Sequence, residues 1–213
     1  VISDKSATDS LLDYMRYANS KATSDFEKEK AIKKSFRLLK SAKNTTQNRD
    51  TLFSIVYRYY EKKDWINFQE SSKLLMKNSL LANDTTNIVK SYRYKANYFK
   101  RTEVYDSSFY YYLKAEKIYS KKNDKINLAI ILLNKGIVQH IINEYLGAEL
   151  SLSKAYYIFK ETDDKNKVYG TLNQLGLVYN ELKEYERAAD YHLKALATVK
   201  EFNLQSEEHQ EAV

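Results

Sequence analysis

A chain of 213 residues with no cysteine, no proline and four glycines excludes disulfides, thiolate metal sites and cysteine nucleophiles, and it lacks the punctuation that β-sandwiches and α/β folds require. A hydrophobic content of 43% is enough for a core and excludes wholesale disorder. The formal charge of +7 is uneven, with 23 Lys and Arg against 14 Asp and Glu in residues 1–120 and 12 against 14 in residues 121–213, so one end is expected to suit an acidic partner.

In chain order, residues 1–9 read as a loose end. Leu11, Leu12, Met15 and Ala18 predict an amphipathic helix over Ser10–Lys21. A second helix is predicted over Asp25–Ala42, burying Phe26, Ala31, Ile32, Phe36 and Leu39, and ending at Asn44-Thr45-Thr46. Residues 1–48 are thus a divergent helical pair or cap. Residues 49–203 then carry four helix–turn–helix units, at 49–81, 89–121, 129–161 and 169–202, and residues 204–213 begin a further helix. No apolar run approaches the roughly 18 residues of a membrane span. Leu128–Leu133, the most apolar window, sits inside an amphipathic helix.

Three residue classes share one period. Trp65, Tyr105, Tyr145 and Tyr185 lie 40 residues apart, as do Ala96, Gly136 and Gly176, and Ala115, Ala155 and Ala195. The turns at Asn83-Asp84, Asn123-Asp124 and Asp163-Asp164 follow the same interval. Small residues are expected where helices approach closely, the aromatics where a wedge between helices must be filled, and Asn or Asp where side chains satisfy backbone groups at helix ends.

The most regular stretch, Tyr169–Lys200, with Leu172, Leu175-Gly176, Tyr179, Tyr185, Ala188 and Ala195, resembles one unit of the tetratricopeptide repeat (TPR) family. The resemblance implies an all-α, right-handed α-solenoid of TPR-like helix-turn-helix repeats. The family unit is usually 34 residues, so the extra length is expected in lengthened helices and linkers. The resemblance also implies a concave groove lined by each unit's first helix. By phase, the groove residues expected to touch a ligand are Tyr57, Tyr60, Lys90, Arg93, Tyr94, Asn97, Lys100, Arg101, Asn134, Ile137, Asn173 and Gln174.

Lys90, Arg93, Lys100 and Arg101 share one helical face, with Tyr94 and Asn97 between them. That face suits an acidic or C-terminal-carboxylate segment, which Arg can hold with two hydrogen bonds. In the carboxylate clamp of some family members, Arg93, Asn97 and Asn134 would match, whereas Gly170 and Gln174 stand where the clamp has basic side chains. Ile130, Leu133, Ile137 and Ile141 form an apolar stripe that either lines the groove or packs under a neighbouring helix.

Catalysis finds no support. His140, His192 and His209 lie far apart in no metal-ligand spacing, and no phosphate loop or nucleophile elbow is present. The chain is expected not to be an enzyme and to need no cofactor and no metal. The expected partner is a protein or peptide, acidic by charge. The alternative is a nucleic-acid-binding or self-assembling scaffold: 20 tyrosines beside lysines could stack on bases, although most have structural positions in the repeat, and exposed array ends could form a homodimer. Lys/Asn/Tyr-rich arrays of long units also resemble the N-terminal sensory portions of bacterial, Bacteroidetes-like, transcriptional regulators or histidine kinases. With Val1 in place of an initiator methionine and the next first helix interrupted near His209, this resemblance implies an excised sensor region. It implies a periplasmic location ahead of a cytoplasmic one, with no membrane contact within these residues.

Overall fold

The computed structural model describes residues 7–20 and 24–202. Among them are ten α-helices and no strand: α1 Ala7–Asn19, α2 Asp25–Ser41, α3 Thr46–Glu61, α4 Trp65–Leu81, α5 Thr85–Arg101, α6 Tyr105–Lys121, α7 Lys125–Ile141, α8 Tyr145–Phe159, α9 Lys165–Glu181 and α10 Tyr185–Phe202. The further helix expected over the last ten residues lies outside the described residues.

The turns explain the spacing. Lys63, Asn83, Glu103, Asn123, Asn143 and Lys183 all adopt positive φ, between 51° and 63°, and each lies one residue before the next N-cap. At the first of these turns the Asp64 N–H donates to the Tyr59 carbonyl and the Lys63 N–H to the Tyr60 carbonyl. This pair of bonds satisfies carbonyls that a helix end leaves open. The same pair recurs around Asn83, Glu103, Asn123, Asn143 and Lys183. The turns within the four units and those after the first and second of them are therefore alike, and the 40-residue interval is two intervals of 20; the turn before α9 differs, with the Thr162 N–H donating to the Phe159 carbonyl. The extra length lies in the helices, several of them 17 residues long, and not in the linkers. The first helices begin at Thr46, Thr85, Lys125 and Lys165, about a turn before the starts read from periodicity.

Aspartate caps the next helix in three of these turns and again at the start of α9. Asp64, Asp84, Asp124 and Asp164 accept the backbone N–H three residues on, as N-caps do. In the first three, Asn67, Asn87 and Asn127 return a side-chain N–H to the same carboxylate.

The chain divides into two compact units, one ending at Tyr94 and the other starting at Lys95, so the boundary falls inside α5. In the first unit the core holds Leu11, Ala31, Ile32, Phe36, Leu39, Leu52, Ile55, Val56, Phe68 and Leu75. Phe26 departs from expectation: it is 78% exposed, because it lies around the helix from the Ile32–Phe36–Leu39 face and nothing described covers it. In the second unit Ala129, Leu132, Ala155, Phe159, Leu172 and Ala195 form one buried cluster, and Ala148, Leu152, Leu175, Val178 and Ala188 another.

Small residues are required there. A Cβ at Gly136 would lie 2.7 Å from Leu152 Cγ, and one at Gly176 2.6 Å from the His192 ring. The aromatics at the 40-residue positions fill less space than expected. Each is the first residue of its helix; Trp65, Tyr105 and Tyr145 are half-buried, and Tyr185 is 62% exposed.

Candidate functional site

In the first unit, the outward face of α3 meets the first three turns of α5. Tyr94 is the hub. Phe53, Tyr57 and Tyr60 approach it edge-on, with ring centroids 5.5, 5.8 and 5.2 Å away, the geometry that matches ring edge to ring face. Lys90 Nζ sits 4.7 Å from the Phe53 centroid and the Arg93 guanidinium 5.2 Å from that of Tyr94. Each such contact contributes about 0.5–1 kcal/mol at an exposed site and, more usefully, holds a long cationic side chain in one orientation. Burial pushes the Tyr94 phenol up, and the neighbouring Arg93 opposes it, so the hydroxyl stays protonated and able to donate.

Tyr57 is 43% exposed and available at the rim. Tyr60 is a correction: at 5% exposure it packs against Trp65, Phe68 and Tyr94 and belongs to the core. One turn of phase separates the two tyrosines, and only the position of α4 decides which of them is covered.

In the second unit, the polar residues expected on a groove floor are engaged by other side chains. The Tyr112 hydroxyl, on an otherwise buried side chain, donates to Asn97 Oδ1 at 2.5 Å. Lys100 Nζ donates to Asn134 Oδ1 at 2.6 Å, and Asn134 donates onward to the Ile130 carbonyl at 2.9 Å. Burial lowers the Lys100 pKa, and Arg101 beside it adds to the shift. Asn173 Oδ1 lies 3.0 Å from His192 Nδ1. Gln174 and Ile137 are half-buried and Arg101 is exposed. Side chains in such a network reach a ligand only by exchanging partners.

The apolar stripe divides as well. Ile130 and Leu133 pack against the Ala129–Leu132 cluster, whereas Ile141 stays exposed. At Gly170, where the clamp would place a basic side chain, an added Cβ meets nothing within 4 Å. The space exists; the charge does not.

Some polar contacts have no obvious trace in the sequence. Lys135 is largely buried and pairs with Glu116 at 2.6 Å. Ser151 donates to Gln139 Oε1 at 2.7 Å. Arg49 Nε donates to Asp84 Oδ2 at 2.7 Å with both side chains nearly buried. The one available signal is the recurrence of Asp-x-x-Asn at Asp64, Asp84 and Asp124, which marks caps and not a ligand site. Among the described residues no group of three or more His, Asp or Glu side chains is gathered as metal ligands.

No family profile and no curated protein sequence matches the chain. Solved structures do. RapI in its apo form matches with a TM-score of 0.81 at 18% identity over 92% of this chain and 71% of its own. Aspartyl phosphate phosphatase F from Bacillus subtilis matches at 0.75 and 15%, over 93% and 51%. A signal transduction ATPase of the STAND class with a tetratricopeptide repeat sensor, from Pyrococcus horikoshii, matches at 0.71 and 18%, over 96% and 32%. The chain spans about half the length of the phosphatase and a third of that of the ATPase. At such identities the likeness bears on the fold alone, and with the repeating helix pairs described above it makes this chain an all-α protein of the TPR-like helical-repeat fold.

Proposed function

We propose that this chain is a protein- or peptide-recognition module, the sensor or scaffold part of a larger bacterial regulatory protein, and that it acts by binding and not by catalysis. The observation that carries the reading is the Tyr94 hub, where Lys90 and Arg93 are held against aromatic rings beside the exposed Tyr57. Cations and rings preorganised on rigid helices leave most of the ordering cost to a flexible ligand. An acidic segment with an apolar side chain fits this chemistry, its carboxylate on the cations and its apolar group against Tyr57 and Tyr94. The TPR sensor in the STAND ATPase supports a sensory role by fold analogy. The same reading favours a periplasmic location, which an alkaline phosphatase fusion would test by its activity.

Selection of displayed random peptides against the chain tests the function. Acidic peptides with aliphatic or aromatic neighbours are the expected product. Lys90→Glu with Arg93→Glu should weaken the selected peptides by about tenfold or more at unchanged far-ultraviolet circular dichroism. Enrichment of basic peptides, or affinity indifferent to both reversals, would remove this patch as the site.

A further inference from the structure

The departure at Phe26 marks a second surface, on the first helix pair. Phe26, Lys30, Lys34 and Arg37 follow one another at intervals of four, four and three along α2, so they form one ridge. Two cavities of about 320 Å³ flank it. One is lined by Phe26, Glu29, Lys30, Lys33, Lys34 and Arg37; the other adds Tyr14 and Tyr17 from α1 to Phe26, Lys30 and Lys34.

The charges on this helix do not cancel. Asp25 lies 3.6 Å from Lys28, and Glu29 is 2.6 Å from Lys33 and 4.0 Å from Lys62. Glu27 accepts the Ser24 hydroxyl at 3.0 Å, and hydrogen bonds from Ser24 and then Tyr17 hold its carboxyl below the usual range. Every carboxylate of α2 thus has a partner outside the ridge. Lys30, Lys34 and Arg37 make no ion pair within 4.0 Å among the described residues; Glu27 feels the Lys30 charge only as the weakest influence on its carboxyl, and Lys34 rests on the Tyr14 ring, 5.2 Å from its centroid. Like charges three and four residues apart cost an isolated helix about 0.2–0.5 kcal/mol per pair. An exposed phenylalanine at the end of such a ridge adds nothing to folding.

We propose that this ridge is a docking surface for an acidic amphipathic helix of a partner protein. Its carboxylates, spaced at four and three residues, would meet Lys30, Lys34 and Arg37 over about 10 Å of helix, and an aliphatic side chain would cover Phe26. Charge complementarity selects the occupant's sign. The spacing and the apolar end of the ridge select its class, because a helix repeats side chains at intervals of four and three and can bring an aliphatic group onto Phe26, whereas a phosphodiester backbone carries no aliphatic side chain. This surface is separate from the Tyr94 patch and does not depend on it.

The test is fluorescence anisotropy of the whole chain with a labelled alanine-based helical peptide. It carries Glu at three positions spaced four and three apart, with Leu four residues before the first. The expected result is saturable binding, weakened about tenfold or more when the three Glu become Gln and in the chain variant Lys30→Gln, Lys34→Gln, Arg37→Gln. Phe26→Ala should cost about three- to tenfold. Lys90→Glu with Arg93→Glu should leave binding unchanged, which separates this surface from the groove. No binding, equal binding of the Gln peptide, or indifference to the ridge variant would overturn the proposal. So would preferential binding of a ten-nucleotide oligo-dT or of phosphatidylglycerol vesicles. If the triple variant misfolds by circular dichroism, Lys34→Gln with Arg37→Gln is read by the same criterion.

Discussion

Asp84 ties α3 to the start of α5 through a single carboxylate. It accepts from Arg49 at 2.7 Å, from the Asn87 side chain at 2.9 Å and from the Asn87 backbone N–H at 3.1 Å. Asn87 donates also to Asp50 at 3.0 Å. Burial works against ionising Asp84, but the hydrogen bonds from Asn87 and Arg49 outweigh it and bring the carboxyl down to about 2. A carboxyl depressed in the folded state stabilises above its unfolded pKa of roughly 4, and that contribution is lost as pH falls through the folded value. The first unit should therefore lose about 2 kcal/mol between pH 4 and pH 2. Urea midpoints measured across that range should fall for the wild type and stay flatter for Asp84→Asn. Parallel curves would remove Asp84 as the cause.

At the scale of the helix, two glycines of the second unit make a controlled pair. Gly136 in α7 lies against Leu152 of α8, where a Cβ would be 2.7 and 2.9 Å from side-chain carbons and 3.3 Å from the Ala148 carbonyl. Gly170 in α9 faces open space. Alanine gains about 0.5–1 kcal/mol over glycine inside a helix, while overpacking costs about 1–3 kcal/mol. Gly170→Ala should raise the thermal midpoint, and Gly136→Ala should lower it despite its better propensity. Differential scanning calorimetry reads both, and midpoints moving in the same direction would contradict the close contact at Gly136 and the open space at Gly170.

Most of this element scale is legible in the sequence. The 40-residue interval reports helix pairs because burial repeats whenever geometry repeats. The 20-residue sub-interval is hidden, since its markers at positive φ are Lys, Asn and Glu and only the asparagines stand out in a sequence. The candidate site is less legible. Tyr57, Lys90, Arg93 and Tyr94 do come together, but Tyr60 is covered by α4 and Asn97, Asn134 and Asn173 are engaged by partners 15, 34 and 19 residues away. Helical phase says which way a side chain points; it does not say what lies in front of it.

For the whole molecule, apolar burial holds the fold, and on the proposed reading charge addresses the partners. Most ion pairs of the described residues join exposed side chains, and such pairs contribute about 0–1 kcal/mol each. The cations of the α2 ridge and the Tyr94 patch act outward, where salt screens them over about 10 Å at 0.1 M. Raising ionic strength from about 0.05 to 0.3 M should weaken acidic peptides severalfold at either surface while moving the thermal midpoint little. A midpoint falling in step with affinity would assign these cations to stability.

The sequence by itself determined the helical class, the pairing of helices and the basic bias of the first 120 residues, because helix propensity, periodic burial and charge are local properties summed along the chain. Only the tertiary structure decided that Phe26 stays uncovered, that Tyr60 is core, and that the asparagines of the second unit are held by Tyr112, Lys100 and His192. Each of these depends on which neighbouring helix arrives at a given face, and packing between distant residues settles that.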